Sequence, residues 1–115
     1  MRSRVWLWTA AAILAGVAAM PTAGVSAQED AYVLTFKDNK LEPAELQVPA
    51  GQEFKLVVKN ADQTPEEFES GDLKLEKVIA GGSEAEFTIK GLEAGSYEVY
   101  GEFHEDTAKG HIVAK

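Results

Sequence analysis

The chain contains no cysteine, and its two methionines and two tryptophans all lie within the first twenty residues. Without cysteine a disulfide framework is excluded, so the fold must depend on a packed apolar core. The same absence excludes a cysteine nucleophile and any metal centre that is built on thiolates. A Ser-His-Asp arrangement and a phosphate-cradling glycine loop are also missing, which leaves hydrolase functions without support.

Residues 1–27 have the three-part pattern of a secretory signal peptide. Arg2 and Arg4 give a basic start, an apolar run covers 5–19, and Val25-Ser26-Ala27 supplies the small residues of a cleavage site. The run is shorter than the about 20 residues of a membrane span, although a retained N-terminal anchor is the alternative. We predict export of the protein, cleavage after Ala27 and one mature domain over residues 28–115.

The predicted mature domain is strongly acidic. It holds all nineteen Asp and Glu residues against nine lysines, which gives a net charge of −10. Such a surface repels nucleic acid and anionic lipid, so we predict no nucleic-acid partner and membrane contact only through another protein. It attracts cations or basic partners, although charge that serves only solubility is the simpler interpretation.

Short alternating segments between turn residues predict an all-β fold without a helix of useful length. The predicted strands are 32–36, 41–48 with a break at Pro43, 54–58, 66–70, 73–79, 84–89, 96–101 and 112–113. Strands at this spacing are typical of a Greek-key β-sandwich. The sequence Leu92-x-x-Gly95-x-Tyr97 also resembles a tyrosine corner, in which the Tyr97 hydroxyl binds nearby backbone.

In the C-terminal part of the chain the predicted strand ends at Gly101, and His104 follows in the next loop. This arrangement resembles the ligand loop of cupredoxins. In cupredoxins a Cys ends this strand and a His comes after it, so the resemblance aligns Gly101 with the Cys and His104 with the His. It also implies that Glu66 or Glu67 replaces the first His. A blue copper site needs a thiolate beside histidines and is therefore excluded.

A series of motifs runs along almost the whole mature chain, in order at 36–39 with 42–43, then 48–51, 66–70, 75–79 and 101–110. Together they resemble the EfeO-type cupredoxin-like domain of bacterial periplasmic iron-uptake systems of the Efe and Ftr types. The resemblance implies a periplasmic metal-binding accessory of ferrous-iron uptake that binds iron or copper, with an iron permease or another uptake component as its partner. The stand-alone Ftr-like form fits better than the two-domain Efe-type form. A ferroxidase is the enzymatic alternative, and a metal-free sandwich that docks on a membrane partner is the other.

Carboxylates with an imidazole form an oxygen-rich ligand set that suits iron, manganese or Cu(II). We predict His104 as the best single ligand, because acidic residues flank it and lower the cost of a bound cation. A loop histidine that bonds a neighbour is the alternative. His111 is predicted to face outward, and Glu76 with Lys77 to form a structural ion pair rather than a support for the site. The full predicted ligand set is His104, Glu66, Glu67, Glu69, Glu102 and Asp106.

The acidic segment 66–70 has two open interpretations. Strand alternation places Glu67 and Glu69 on one face, and Glu66 with Phe68 on the other. Acids this close repel one another unless a cation or a lysine lies between them. The alternative is a solvated edge strand whose charge hinders aggregation. In either case none of the proposed ligand positions is an expected core residue.

Overall fold

A computed structural model describes residues 31–115, where nine strands form two sheets. The predicted signal peptide lies outside the described residues. The strands are β1 Ala31–Lys37, β2 Lys40–Glu42, β3 Glu45–Val48, β4 Phe54–Asn60, β5 Glu66–Ser70, β6 Leu75–Ile79, β7 Glu84–Ile89, β8 Gly95–Gly101 and β9 Lys109–Ala114. One sheet has the order β2-β1-β4-β7 and the other β3-β9-β8-β5-β6. Pairing is antiparallel except for β1 with β4 and β3 with β9. The predicted all-β sandwich is confirmed.

The core lies between the two sheets and follows directly from strand alternation. In β4, for example, Phe54, Leu56 and Val58 are buried while Lys55 and Lys59 are exposed. Full burial of an apolar side chain of this size contributes about 1.5–3 kcal/mol. A short 3-10 helix, Glu102–His104, follows β8, and no helix among the described residues is long and apolar enough to cross a membrane.

Most predicted strands are present, with two informative differences. The predicted segment 41–48 is two strands in different sheets, because Pro43 has no N–H and interrupts the ladder. The last strand is longer than predicted and begins at Lys109. The predicted tyrosine corner is confirmed, since the Tyr97 hydroxyl donates to the Glu93 carbonyl at 2.7 Å.

Strand β5 is not an edge strand. It pairs with β6 on one side and with β8 on the other, so the interpretation of its acids as edge protection is wrong. Its side chains alternate as predicted: Glu66, Phe68 and Ser70 are buried, and Glu67 and Glu69 are half-buried on the outer face. A central strand therefore presents acidic side chains to both of its faces.

A buried asparagine organises the loops at the end of the sandwich where β5 begins. The Asn60 amide donates to the Ile79 carbonyl at 3.0 Å, and its oxygen accepts the Asp62 N–H at 3.0 Å. The Asp62 carboxylate in turn accepts the N–H groups of Asp38 and Asn39, which have φ of 54° and 60°. These two hydrogen bonds lower the pKa of Asp62, and the one from the Asn39 N–H has the larger effect. The turn between β1 and β2 is thereby fixed against the loop that precedes β5.

Candidate metal centre

The inner face of β5 carries a buried carboxylate that binds the loop after β8. Glu66 is 2% exposed, and its Oε2 lies 2.6 Å from Nδ1 of His104. Its Oε1 accepts the N–H of Phe103 at 3.2 Å and that of Glu67 at 3.1 Å. The expectation that no proposed ligand position lies in the core is therefore wrong for Glu66. The burial is tolerated because both carboxylate oxygens have donors.

Glycine at position 101 makes room for this carboxylate. A Cβ atom on Gly101 would lie 2.7 Å from Cε1 of Phe36 and 2.8 Å from Cδ of Glu66. Contacts that short do not occur between carbon atoms without a shift, so even a methyl group is excluded unless its neighbours move. The residue beside Gly101 is therefore Glu66 and not Glu67, the two alternatives that the sequence left open.

The outer face of β5 carries the second group of acids. One carboxylate oxygen from each of Glu67, Glu69, Glu76 and Glu102 lies within 4.8 Å of the others. Glu69 stands directly opposite Glu76 across the β5–β6 ladder, and Glu102 follows the end of β8. Within residues 31–115 this is the one group that gathers three or more metal-ligating atoms at such distances. We call it the outer carboxylate cluster.

Crowding changes the protonation of the outer carboxylate cluster. The pKa of Glu67 is raised to about 7, first by a hydrogen bond with the Glu76 carboxyl group and then by burial and repulsion from Glu102. The pKa of Glu69 is also raised to about 7, first by a hydrogen bond with the Glu102 carboxyl group and then by burial. Oε1 of Glu69 is buried and accepts no hydrogen bond from the described residues. Carboxyl groups with a pKa of about 7 still hold protons at a pH where an ordinary carboxyl group is ionised, and a cation would compete with those protons for the same oxygens.

No lysine neutralises this cluster within the described part of the chain, where the ion pairs are Lys55 with Glu86 and His104 with Glu66. The predicted ion pair of Glu76 with Lys77 is therefore wrong. Lys77 stands opposite Phe68 in the ladder, so it points away from the face that carries Glu76. Sequence reasoning missed Glu76 as a member of the cluster, because only the β5–β6 register brings it beside Glu69.

The remaining predicted positions lie outside the cluster. His104 has a side chain that is 33% exposed and is bonded to Glu66. Asp106 lines a surface pocket beside Phe103 and His104. His111 is exposed on β9, as predicted. The structure thus divides the predicted ligand set into an inner pair, an outer carboxylate cluster and the separate Asp106.

The comparisons with known proteins agree with this architecture. A family model described as a cupredoxin-like domain matches residues 5–114. This chain belongs to that family. A protein of Rickettsia prowazekii (strain Madrid E), described as uncharacterized, is 41% identical over 80 residues, or 70% of this chain. The chain spans 64% of the length of that relative.

Solved structures of amicyanin share the fold of this cupredoxin-like domain. An amicyanin variant in the Cu(I) form has a TM-score of 0.61 and 22% identity, covering 77% of this chain and 86% of its own. Amicyanin from Paracoccus versutus has a TM-score of 0.59 and 18% identity, covering 77% and 85%. At these identities the likeness establishes the fold and does not show that this chain binds an ion.

A copper–thiolate centre does not fit the residues of this domain. The chain has no cysteine, and a side chain at Gly101 would collide with Phe36 and Glu66. Both oxygens of Glu66 already accept hydrogen bonds from protein donors. The interior position at which the sequence aligns with cupredoxin ligands is thus filled by a carboxylate and an imidazole that bind each other.

Proposed function

We propose that this cupredoxin-like domain is an exported metal-binding accessory of ferrous-iron uptake and that it holds its cation in the outer carboxylate cluster. One observation carries the proposal: four carboxylate oxygens lie within 4.8 Å of one another. No lysine forms an ion pair with any of them among residues 31–115. A cation is the partner that such an arrangement of like charges lacks.

The chemistry of the donors favours a hard cation. Carboxylate oxygens suit iron, manganese, magnesium and calcium better than soft metals. A bound cation would relieve the repulsion between Glu69 and Glu76, which face each other directly. One oxygen of Glu69 belongs to this group, and Oε1 of the same carboxylate is buried without a hydrogen-bond partner within the described residues. Iron is the proposed cargo because the motifs of the chain resemble those of bacterial iron-uptake systems.

A binding module fits these residues better than a ferroxidase. Two members of the cluster, Glu76 and Glu102, are exposed, so an ion there is open to exchange with solvent or with a permease. A ferroxidase would also have to pass electrons to an acceptor. Oxygen consumption after addition of Fe(II) distinguishes the two. A ferroxidase that reduces oxygen would accelerate it, whereas with a binding module the rate stays equal to that in buffer alone.

Thermal denaturation with and without metal tests the proposal. Addition of Mn²⁺, or of Fe²⁺ without oxygen, should raise the melting temperature of residues 28–115. A hundredfold excess over the dissociation constant corresponds to about 2.7 kcal/mol. The double variant Glu67→Gln/Glu69→Gln should lose most of this gain. If neither ion stabilises the wild-type domain, the proposed site does not exist.

The matched control is Glu84→Gln/Glu86→Gln. These two acids have the same spacing, also lie on a strand and are exposed on β7 away from the cluster. Glu86 also forms a surface ion pair with Lys55 at 3.7 Å, so the metal response of each variant is compared with its own metal-free melting temperature. The control removes the same number of carboxyl groups, so a diffuse attraction of cations to the acidic surface would weaken in both variants. We expect the control to keep the full metal response. An equal loss of the metal-induced stabilisation in both variants would mean that diffuse surface charge attracts the cation and that there is no specific site.

A second candidate function, docking on a membrane partner without metal, is favoured by Phe103. Its side chain is 51% exposed beside His104 and Asp106, and an aromatic residue ringed by acids suits a basic partner. Phe103→Ala separates the two functions. It should weaken partner capture while leaving metal binding unchanged if the domain has both roles.

A further inference from the structure

The buried carboxylate of Glu66 reaches from β5 to the 3-10 helix Glu102–His104. Two of its three donors, the Phe103 N–H and the His104 ring, belong to that helix. The helix buries no residue of its own in the core, and no side chain caps its start at Gly101. Short helices leave their first N–H groups without internal partners, so Glu66 supplies an acceptor that the helix lacks.

The helix also contributes Glu102 to the outer carboxylate cluster. Glu102 lies between Gly101, which packs on Glu66, and Phe103, whose N–H binds Glu66. The far end of the helix is closed by the Ala108 N–H, which donates to the His104 carbonyl at 2.8 Å. The backbone on both sides of Glu102 is thus fixed by contacts that involve Glu66 or His104.

We infer that Glu66 and His104 are positioning residues for the outer carboxylate cluster. The positioning depends on Nδ1 of His104, the atom that binds Glu66. The inference rests on the proposed function, because it assigns these residues to the same cation site. Glu66 binds the imidazole at 2.6 Å on the inner side of the sheet, while Glu67 and Glu102 present their carboxylates on the outer side. In the described residues, neither ring nitrogen of His104 joins a group of three ligand atoms.

Two substitutions at position 104 separate positioning from direct ligation. His104→Asn keeps an N–H at nearly the place of Nδ1 and removes Nε2. His104→Ala removes both. If the hydrogen bond to Glu66 positions Glu102, the Asn variant should bind Mn²⁺ almost as tightly as wild type. The Ala variant should bind about tenfold more weakly, as is usual for the loss of a group that orients a ligand. His111→Ala, an exposed histidine on β9, is the matched control and should change nothing.

Electron spin-echo measurements on the Mn²⁺-loaded wild-type domain show directly whether His104 positions the cluster or is itself a ligand. We expect no hyperfine coupling to imidazole nitrogen, because all proposed ligand atoms are oxygens. A nitrogen coupling that disappears in both His104 variants would overturn the inference and make His104 a ligand, while the proposed function would stand. Equal affinity in wild type, His104→Asn and His104→Ala would also overturn it. Absence of Mn²⁺ binding to the wild-type domain would instead overturn the proposed function.

Discussion

Both faces of strand β5 carry carboxylates in crowded surroundings, but the groups that surround them differ. On the inner face, Glu66 is 2% exposed and accepts three hydrogen bonds. On the outer face, Glu67 and Glu69 are only half-buried, yet their pKa values rise to about 7 because other carboxyl groups are their nearest partners. Burial alone therefore does not decide whether a carboxylate is destabilised. The hydrogen-bond donors within reach of its oxygens decide it.

The difference also separates structure from function along a single strand. A carboxylate with all its donors in place stabilises the fold and has little capacity left for a ligand. A group of carboxylates without donors destabilises the fold until a cation binds, and such destabilised groups are common in binding sites. Adjacent residues, Glu66 and Glu67, belong to these two classes because β alternation points them in opposite directions.

The largest effect is expected for Glu66→Leu on the inner face. Leucine has nearly the volume of glutamate but cannot accept the Phe103 N–H, the Glu67 N–H or the His104 ring. Unpaired buried donors cost about 1–3 kcal/mol each, so we expect the free energy of unfolding to fall by about 3 kcal/mol. Urea denaturation measures this directly. Glu67→Gln on the outer face is the contrast, and a comparable loss there would remove the distinction between the faces.

A smaller effect is expected for Gly101→Ala. The backbone at Gly101 has φ of −100°, which any residue adopts, so the cost comes from space alone. The new methyl group would press on Phe36 and Glu66, and overpacking of this kind costs about 1–3 kcal/mol.

A double-mutant cycle with Glu66→Ala identifies the contact responsible for the cost at Gly101. The methyl group should cost clearly less once the carboxylate is gone. Additive losses would mean that Phe36, and not Glu66, excludes a side chain at this position.

The strands and their inward faces could be predicted from the sequence because alternation is a local signal. The direction of Glu66 followed from the same alternation, but its burial did not, because an acid in such a pattern is ordinarily a surface residue. Its burial depends on Gly101, thirty-five positions later in the chain, having no side chain.

The outer carboxylate cluster shows a second limit of sequence reasoning. Glu67, Glu69 and Glu102 could be named as candidates from the resemblance to cupredoxins and from local acidity. Glu76 could not, because its place beside Glu69 depends on the β5–β6 register. That register depends on the turn between the strands, in which Lys74 adopts a φ of 60°. A lysine with this backbone conformation has no sequence signature of the kind that glycine provides.

The smallest but most discriminating effect concerns pH and the outer face of the metal-free domain. Glu67 and Glu69 have pKa values of about 7 in the folded protein against an ordinary 4.5. Below about pH 4.5 both carboxyl groups are protonated in the folded and the unfolded chain, so they impose no penalty. As the pH rises toward 7 the unfolded chain releases protons that the folded chain retains, and stability falls. Above about pH 7 the penalty is complete.

We therefore expect the melting temperature of the chelator-treated domain to fall between pH 5 and pH 8 and this decline to shrink in Glu67→Gln/Glu69→Gln. The control Glu84→Gln/Glu86→Gln should keep the slope of wild type, since it removes two carboxyl groups from β7 and leaves the outer carboxylate cluster intact. Saturating Mn²⁺ should stabilise the wild-type domain more at pH 8 than at pH 5, because a cation competes with the shared protons. A wild-type slope that persists in the Glu67 and Glu69 variant would locate the titrating groups elsewhere. In that case the outer face would be only a solvated acidic surface.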